Sequence, residues 1–252
     1  MISLYQNVSE NCKEGDTVME FKLDNLSKSY EKKQVICDTS FTFESGKIYG
    51  LLGRNGAGKT TLFNCINQDI PIDSGSFYFR EKGCEPQKPE TTDIGYVLST
   101  PIVPEFLTGR EFLKFFLEIN KKQIPNQKNL EEYFELINLE YEDRGRLMKD
   151  YSHGMKNKMQ MLVNIIANPK LLLLDEPLTS LDVVVAEEMK QLLRGMKDDK
   201  IIILSTHILD LALDLCDEIV LLNHGKLEHL PKEHLDTADF RGKIIEALRE
   251  EE

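Results

Sequence analysis

Long apolar stretches are missing from this sequence. Apolar runs such as Leu171–Leu174 and Ile201–Leu204 fall far short of the roughly 20 residues needed to cross a bilayer. The opening residues, MISLYQNVSENCKEGD, lack the basic start and the apolar core of about 7–15 residues that a secretory signal requires. The chain is therefore expected in the cytoplasm. Positive charge is also scarce, with 31 Lys and Arg against 43 Asp and Glu and a net charge of −12. Holding nucleic acid or an anionic membrane by general electrostatics needs the opposite balance, so nucleic acid is not an expected partner. Cysteines are few and scattered: Cys12, Cys37, Cys65, Cys84 and Cys216 never stand in CxxC spacing. Neither a disulfide framework nor a zinc site is suggested, and the thiols read as reduced packing residues.

What is present suits one α/β domain. A chain of 252 residues with 41% hydrophobic content can bury a sizeable core. Residues 1–17 read as a loose polar lead-in, and the first strand is expected at Val18–Leu23, where polar and apolar residues alternate. A β-type run at Lys47–Gly53 empties into a glycine-rich turn, and the helical stretch TTLFNCINQ follows. Short strands are expected at Ser76–Phe79 and Ile94–Val97. From about 104 to 168 the pattern turns helical, with Glu111–Asn120, Leu130–Ile137 and a longer helix after Ser152 that lines up Met155, Met159, Leu162, Val163 and Ile166. Asn168-Pro169 stops that helix. Strands and helices then alternate: strand 170–174, helix 182–197, strand 201–204, helix 208–215, strand 218–223. Such alternation implies parallel strands with helices packed on the sheet. From about 231 the chain mixes His, Lys and acids and ends Glu250-Glu251-Glu252, a solvated helix end.

Gly53-Arg54-Asn55-Gly56-Ala57-Gly58-Lys59-Thr60 fits the phosphate-binding pattern G-x-x-x-x-G-K-S/T at every position, between a strand and a helix. The glycines let backbone N–H groups turn toward a β-phosphate, and the helix presents its positive end. Lys59 is expected to reach the β- and γ-phosphates, Thr60 to offer a hydroxyl to Mg²⁺, and Thr61 to support the α-phosphate region. The apolar run Leu171–Leu174 ends in Asp175-Glu176, two carboxylates where a core strand would avoid charge. Asp175 suits Mg²⁺ held through water. Glu176 can orient or deprotonate an attacking water beyond the γ-phosphate.

From about residue 19 to 225 the chain resembles an ABC-type ATPase subunit. The motifs that carry the resemblance keep their order and spacing: the phosphate loop, Tyr151-Ser152-His153-Gly154-Met155 in place of the signature, Asp175-Glu176, Pro177-Leu178-Thr179-Ser180-Leu181-Asp182 and Ser205-Thr206-His207. The resemblance implies a P-loop NTPase core whose mixed sheet is flanked by helices, with an N-terminal antiparallel β region and an inserted helical subdomain near 104–168. The ATPase domain would span 18–230 and an acidic tail 231–252. It implies that Ser152 and Gly154 reach the γ-phosphate bound to an opposite subunit, that Asp182 crosses that interface, that His207 holds the attacking water with Glu176, and that Tyr30 stacks on adenine. Read by themselves, Ser152 is a helix N-cap and Tyr30 closes a strand. ATP and Mg²⁺ are the implied ligands. A second ABC subunit, most simply a second copy, and an integral membrane permease are the implied partners, with the chain peripheral on the membrane's inner face.

Two departures stand out. After Gly95-Tyr96-Val97 the family commonly has a glutamine that touches Mg²⁺, and here Leu98-Ser99-Thr100 follows. Ser99 or Thr100 would reach Mg²⁺ only through water. In the signature, His153 and Met155 replace glycine and glutamine, a variant resembling small bacterial exporters with a separate permease chain. A soluble ABC ATPase of the translation or repair type is the alternative, although this chain has one cassette and no sustained heptads. A regulatory subunit of low turnover is the third reading.

Overall fold

The computed structural model describes residues 18–31, 33–179 and 181–231, together with Gly242 and Ile244. The expected lead-in, most of the expected tail, and Ser180 lie outside the described residues. Ile244 is buried among the residues of the second core described below, so the stretch after 231 is not solvated throughout.

The first strand is twice as long as its alternation suggests. β1 (Met19–Tyr30) pairs antiparallel with β2 (Lys33–Glu44) on one side and with β4 (Ser74–Glu81) on the other. Asn25, at φ 50°, and a shift of register after Leu23 interrupt β1. Such bulges break the period of two that marks a strand in sequence.

The larger sheet has six strands in the order β5-β6-β7-β3-β8-β9. These are β3 (Lys47–Leu52), β5 (Ile94–Val97), β6 (Leu171–Asp175), β7 (Ile201–Thr206), β8 (Glu218–Asn223) and β9 (Lys226–Leu230). All pairs are parallel except β8–β9, a hairpin turning through His224 and Gly225. Helix α1 (Lys59–Ile66) follows β3. Between β5 and β6 lie α2 (Gly109–Ile119), α3 (Leu130–Leu136), α4 (Tyr141–Arg144) and α5 (His153–Ala167). α6 (Val183–Gly195) and α7 (Leu209–Leu215) connect the later strands. Asn168 ends α5 in the left-handed conformation at φ 52° rather than in the extended one expected before proline.

Alternation along the buried strands sorts their side chains into two cores. Tyr49, Leu51, Leu171, Leu173, Ile201 and Ile203 pack with Leu62, Phe63 and Ile66 of α1 and with Phe21 and Phe43 of the smaller sheet. Ile48, Leu52, Leu172, Leu174, Ile202 and Leu204 face Met189 and Leu193 of α6 and Leu215 of α7. A third cluster holds α2, α3 and α5 together through Leu113, Phe134, Met159 and Leu162. Of the stripe expected on α5, Met159, Leu162 and Ile166 are buried, while Met155 and Val163 are half-buried. Among the described residues no helix is long and apolar enough to cross a membrane.

Register fixes where the chemistry gathers. Leu52 pairs with Thr206, Asp175 with Ser205 and Val97 with Leu174. Parallel strands thus bring the segments beginning at Gly53, Glu176, His207 and Leu98 to one edge, the carboxyl edge at which open α/β sheets bind ligands.

Candidate nucleotide site

The phosphate loop needs its glycines. Gly56 stands at φ 77° and Gly58 at φ 107°, both in the left-handed region, and a Cβ on Gly58 would lie 2.6 Å from Val35 Cγ1. Gly58 also caps α1 with no side-chain acceptor, so the first N–H groups of the helix stay open. The loop, Tyr30, Val35, Ser99, Asp175 and Glu176 enclose a cleft of about 410 Å³. Asn55, Gly56, Gly58, Lys59, Thr60 and Thr61 line it, whereas Gly53 and Ala57 shape the turn from behind.

Lys59 is buried, and its ammonium donates to the carbonyls of Gly53 at 2.7 Å and Arg54 at 3.2 Å. Glu176 Oε1 lies 3.6 Å away. Burial pushes the Lys59 pKa below its ordinary value, and the Glu176 and Asp175 carboxylates push it back up. Thr60 Oγ1 donates to Asp175 Oδ2 at 2.7 Å, so the first turn of α1 and the residue that ends β6 meet at the cleft. Asp175 is 3% exposed, and a buried carboxylate needs partners for both oxygens. Ser205 supplies the other, donating to Oδ1 at 2.5 Å.

Glu176 has φ 49°, an uncommon conformation for a residue with a Cβ. Its carboxylate accepts from Thr179 Oγ1 at 3.0 Å and lies 3.0 and 3.1 Å from His207 Nδ1. A carboxylate only accepts, so Nδ1 carries the proton in that contact. Glu176, His207, Thr179, Asn55, Ser99, Thr100 and His153 line a second, adjoining cleft of about 330 Å³.

Not every expected residue converges. Ser152 caps α5, accepting from Met155 N at 3.2 Å, and Asp182 caps α6, accepting from Val184 N and Val185 N at 3.0 Å each. Neither lines the phosphate-loop cleft, and nor does Gly154. Tyr30 does line it, at the end of β1 and 47% exposed, with Lys28 Nζ 5.6 Å from its ring centre. Ser205 and Thr179 stand in two of the quoted motifs, but motif spacing assigns neither a role of its own. The β6–β7 register places Ser205 beside Asp175.

A fold of parallel strands with a phosphate loop, paired carboxylates and a histidine at one edge defines a nucleotide-binding α/β domain. The family described as ABC transporter matches residues 36–179, and the chain belongs to that family, as its ATP-binding domain. It is 30% identical to the sulfate/thiosulfate import ATP-binding protein of Vibrio cholerae over 84% of this chain, and spans 58% of that relative's length. It is 33% identical to the bacitracin transport ATP-binding protein of Bacillus licheniformis, covering 85% of this chain and 70% of that protein. A solved ATP-binding cassette, a dimer in a post-hydrolysis state with ADP and phosphate, matches its fold with a TM-score of 0.71 at 20% identity, over 84% of this chain and 98% of that one.

Proposed function

We propose that the chain is the ATP-hydrolysing subunit of an ABC transporter, working with a second such subunit, most simply another copy, and driving a separate membrane permease. The observation that carries this reading is the placement of two carboxylates beside the phosphate loop: Asp175 tied to Thr60, and Glu176 tied to His207 and Thr179. Lys59 would exchange its carbonyl partners and Glu176 for the β- and γ-phosphates of ATP. Its buried position makes that charge hard to satisfy otherwise.

Mg²⁺ fits the donors present. Thr60 and Asp175 bring two hydrogen-bonded oxygens together in the cleft. Two hard oxygens suit Mg²⁺, which keeps waters and shares phosphate oxygens. Bound there, it would neutralise charge developing on the phosphates. Ser99 lines both clefts and is short enough to act only through a water.

Glu176 is the proposed base. Released from Lys59, its carboxylate would take a proton from the attacking water, and His207 would hold that water in line. With Nδ1–H on Glu176, the neutral ring of His207 keeps Nε2 as an acceptor. Ser152, Gly154 and Asp182 stand outside the phosphate-loop cleft, which supports a site completed by a second subunit. The Ser152-His153-Gly154-Met155 signature, which resembles that of small bacterial exporters, supports export as the direction.

The test is Lys59→Ala. It should weaken nucleotide binding and abolish ATP hydrolysis, because a site built on positioning and charge loses its direct cation. Turnover near that of wild type in this variant would sink the assignment.

A further inference from the structure

Ser205, the last residue but one of β7, is wholly buried. A serine hydroxyl has one proton to give and lone pairs to accept with. Here the proton goes to Asp175 Oδ1 at 2.5 Å, and a lone pair takes the backbone N–H of Glu176 at 3.0 Å. Neither bond can run the other way, since a carboxylate only accepts and an amide N–H only donates. One hydroxyl therefore bridges two consecutive residues of the neighbouring strand end.

Geometry makes the bridge specific. Asp175 pairs with Ser205 in the parallel β6–β7 register, the last pair of that ladder. Glu176, one residue on, lies past the last pair of the ladder, where its N–H donates to the Ser205 hydroxyl and its backbone then turns at φ 49°. Thr60 also holds Asp175, through Oδ2. Thr60, however, belongs to the phosphate loop and its hydroxyl would serve the metal as well. Ser205 faces no part of either cleft and can hold Asp175 Oδ1 through the whole cycle.

We propose that Ser205 is a positioning residue for ATP hydrolysis, its buried hydroxyl clamping the metal-holding carboxylate of Asp175 to the backbone of the base Glu176. The clamp rests on the roles given above to those two acids. It fixes the spacing between the metal and the attacking water. Loss of the hydroxyl leaves Asp175 Oδ1 and the Glu176 N–H without this partner, and the left-handed turn at Glu176 loses its anchor.

The experiment compares Ser205→Ala and Ser205→Cys with wild type, the cysteine being close in volume and a weaker donor. Affinity for a fluorescent ATP analogue in EDTA should stay within about twofold in both, since the phosphate loop is untouched. Mn²⁺ affinity in the presence of ADP, read by electron paramagnetic resonance, should fall about 10-fold in Ser205→Ala, and kcat about 10- to 100-fold with KM for ATP little changed. Ser205→Cys should lie between. A merely structural serine predicts otherwise: lower thermal stability, with the Mn²⁺ affinity and kcat of the folded fraction unmoved, and that result overturns the clamp. Loss of nucleotide affinity in EDTA overturns it too. Should wild type fail to hydrolyse ATP, the proposed function falls, and the Mn²⁺ affinities still decide the clamp.

Discussion

Glu176 meets two kinds of partner. Its carboxylate answers the buried Lys59 charge at 3.6 Å, and it binds His207 and Thr179. A residue that faces the Lys59 charge and is also the proposed base gives separable effects on substitution. Glu176→Gln keeps the shape and the hydrogen bond from Thr179 but removes the charge. ATP binding should survive, because the phosphates then neutralise Lys59, whereas turnover should drop on the order of 10²–10⁴-fold. Trapped with MgATP, the variant should elute as a dimer from a sizing column. A monomer under those conditions would speak against a site shared between two like subunits. Most of these side chains were legible in the sequence because chemistry dictates their types and spacing. Ser205 and Thr179 were not, since their partners, Asp175 and Glu176, meet them only through the β6–β7 register and the turn after β6.

The elements themselves divide in the same way. Strands buried on both faces, such as Leu171–Leu174 and Ile201–Leu204, announce themselves as apolar runs, and Ile94–Val97 was expected with the bounds it has. β2 gave no such signal: its pattern KQVICDTSFTFE is polar in the middle, and Asp38 stands at φ 46°. Pairing with β1, rather than its own periodicity, makes it a strand. β9 is short and half polar, and the His224-Gly225 turn was its only cue. Among the helices, α2, α3 and α4 are joined by charge. Glu131 accepts from Arg110 and Arg144, and Arg144, 9% exposed, also donates to the Leu139 carbonyl at 2.9 Å. Arg110 first and Arg144 second hold the Glu131 carboxyl below its usual pKa. A carboxyl depressed in the folded state stabilises above its unfolded pKa, and the contribution is lost as pH falls through the folded one. Glu131→Gln should therefore destabilise at pH 7 by on the order of 1 kcal/mol. That difference should shrink when the melting temperatures of wild type and variant are compared near pH 3. A gap that stays constant between the two pH values would refute the ionic origin.

For the whole molecule, the proposed hydrolysis at the sheet edge has to reach the proposed permease. The chain itself supplies a short route. Ser99 and Thr100 line the clefts, and within a few residues the backbone presents Ile102 and Phe106, 74% and 79% exposed. Val103, between them, packs against the helical cluster and ties the segment to it. Backbone bonds from Met148 N and Lys149 N to the carbonyls of Leu107 and Glu105 hold its far end to the turn before the signature. One segment thus touches the clefts, the helices and solvent, with two large apolar side chains left outward. Exposed apolar groups of this size on a chain of net charge −12 suit a partner that buries them, and a helix of the permease is the proposed occupant. Phe106→Ala should leave the basal ATPase rate of the isolated subunit within about twofold of wild type, because Phe106 lines neither cleft. Truncating a buried aromatic anchor at an interface commonly costs about 2 kcal/mol or more, so stimulation by the permease that accompanies the subunit from native membranes should largely vanish. Steady-state ATPase rates with and without that permease decide the matter. Stimulation of the variant equal to wild type would move the docking surface elsewhere, whereas loss of basal activity would mean that Phe106 supports the site rather than the partner.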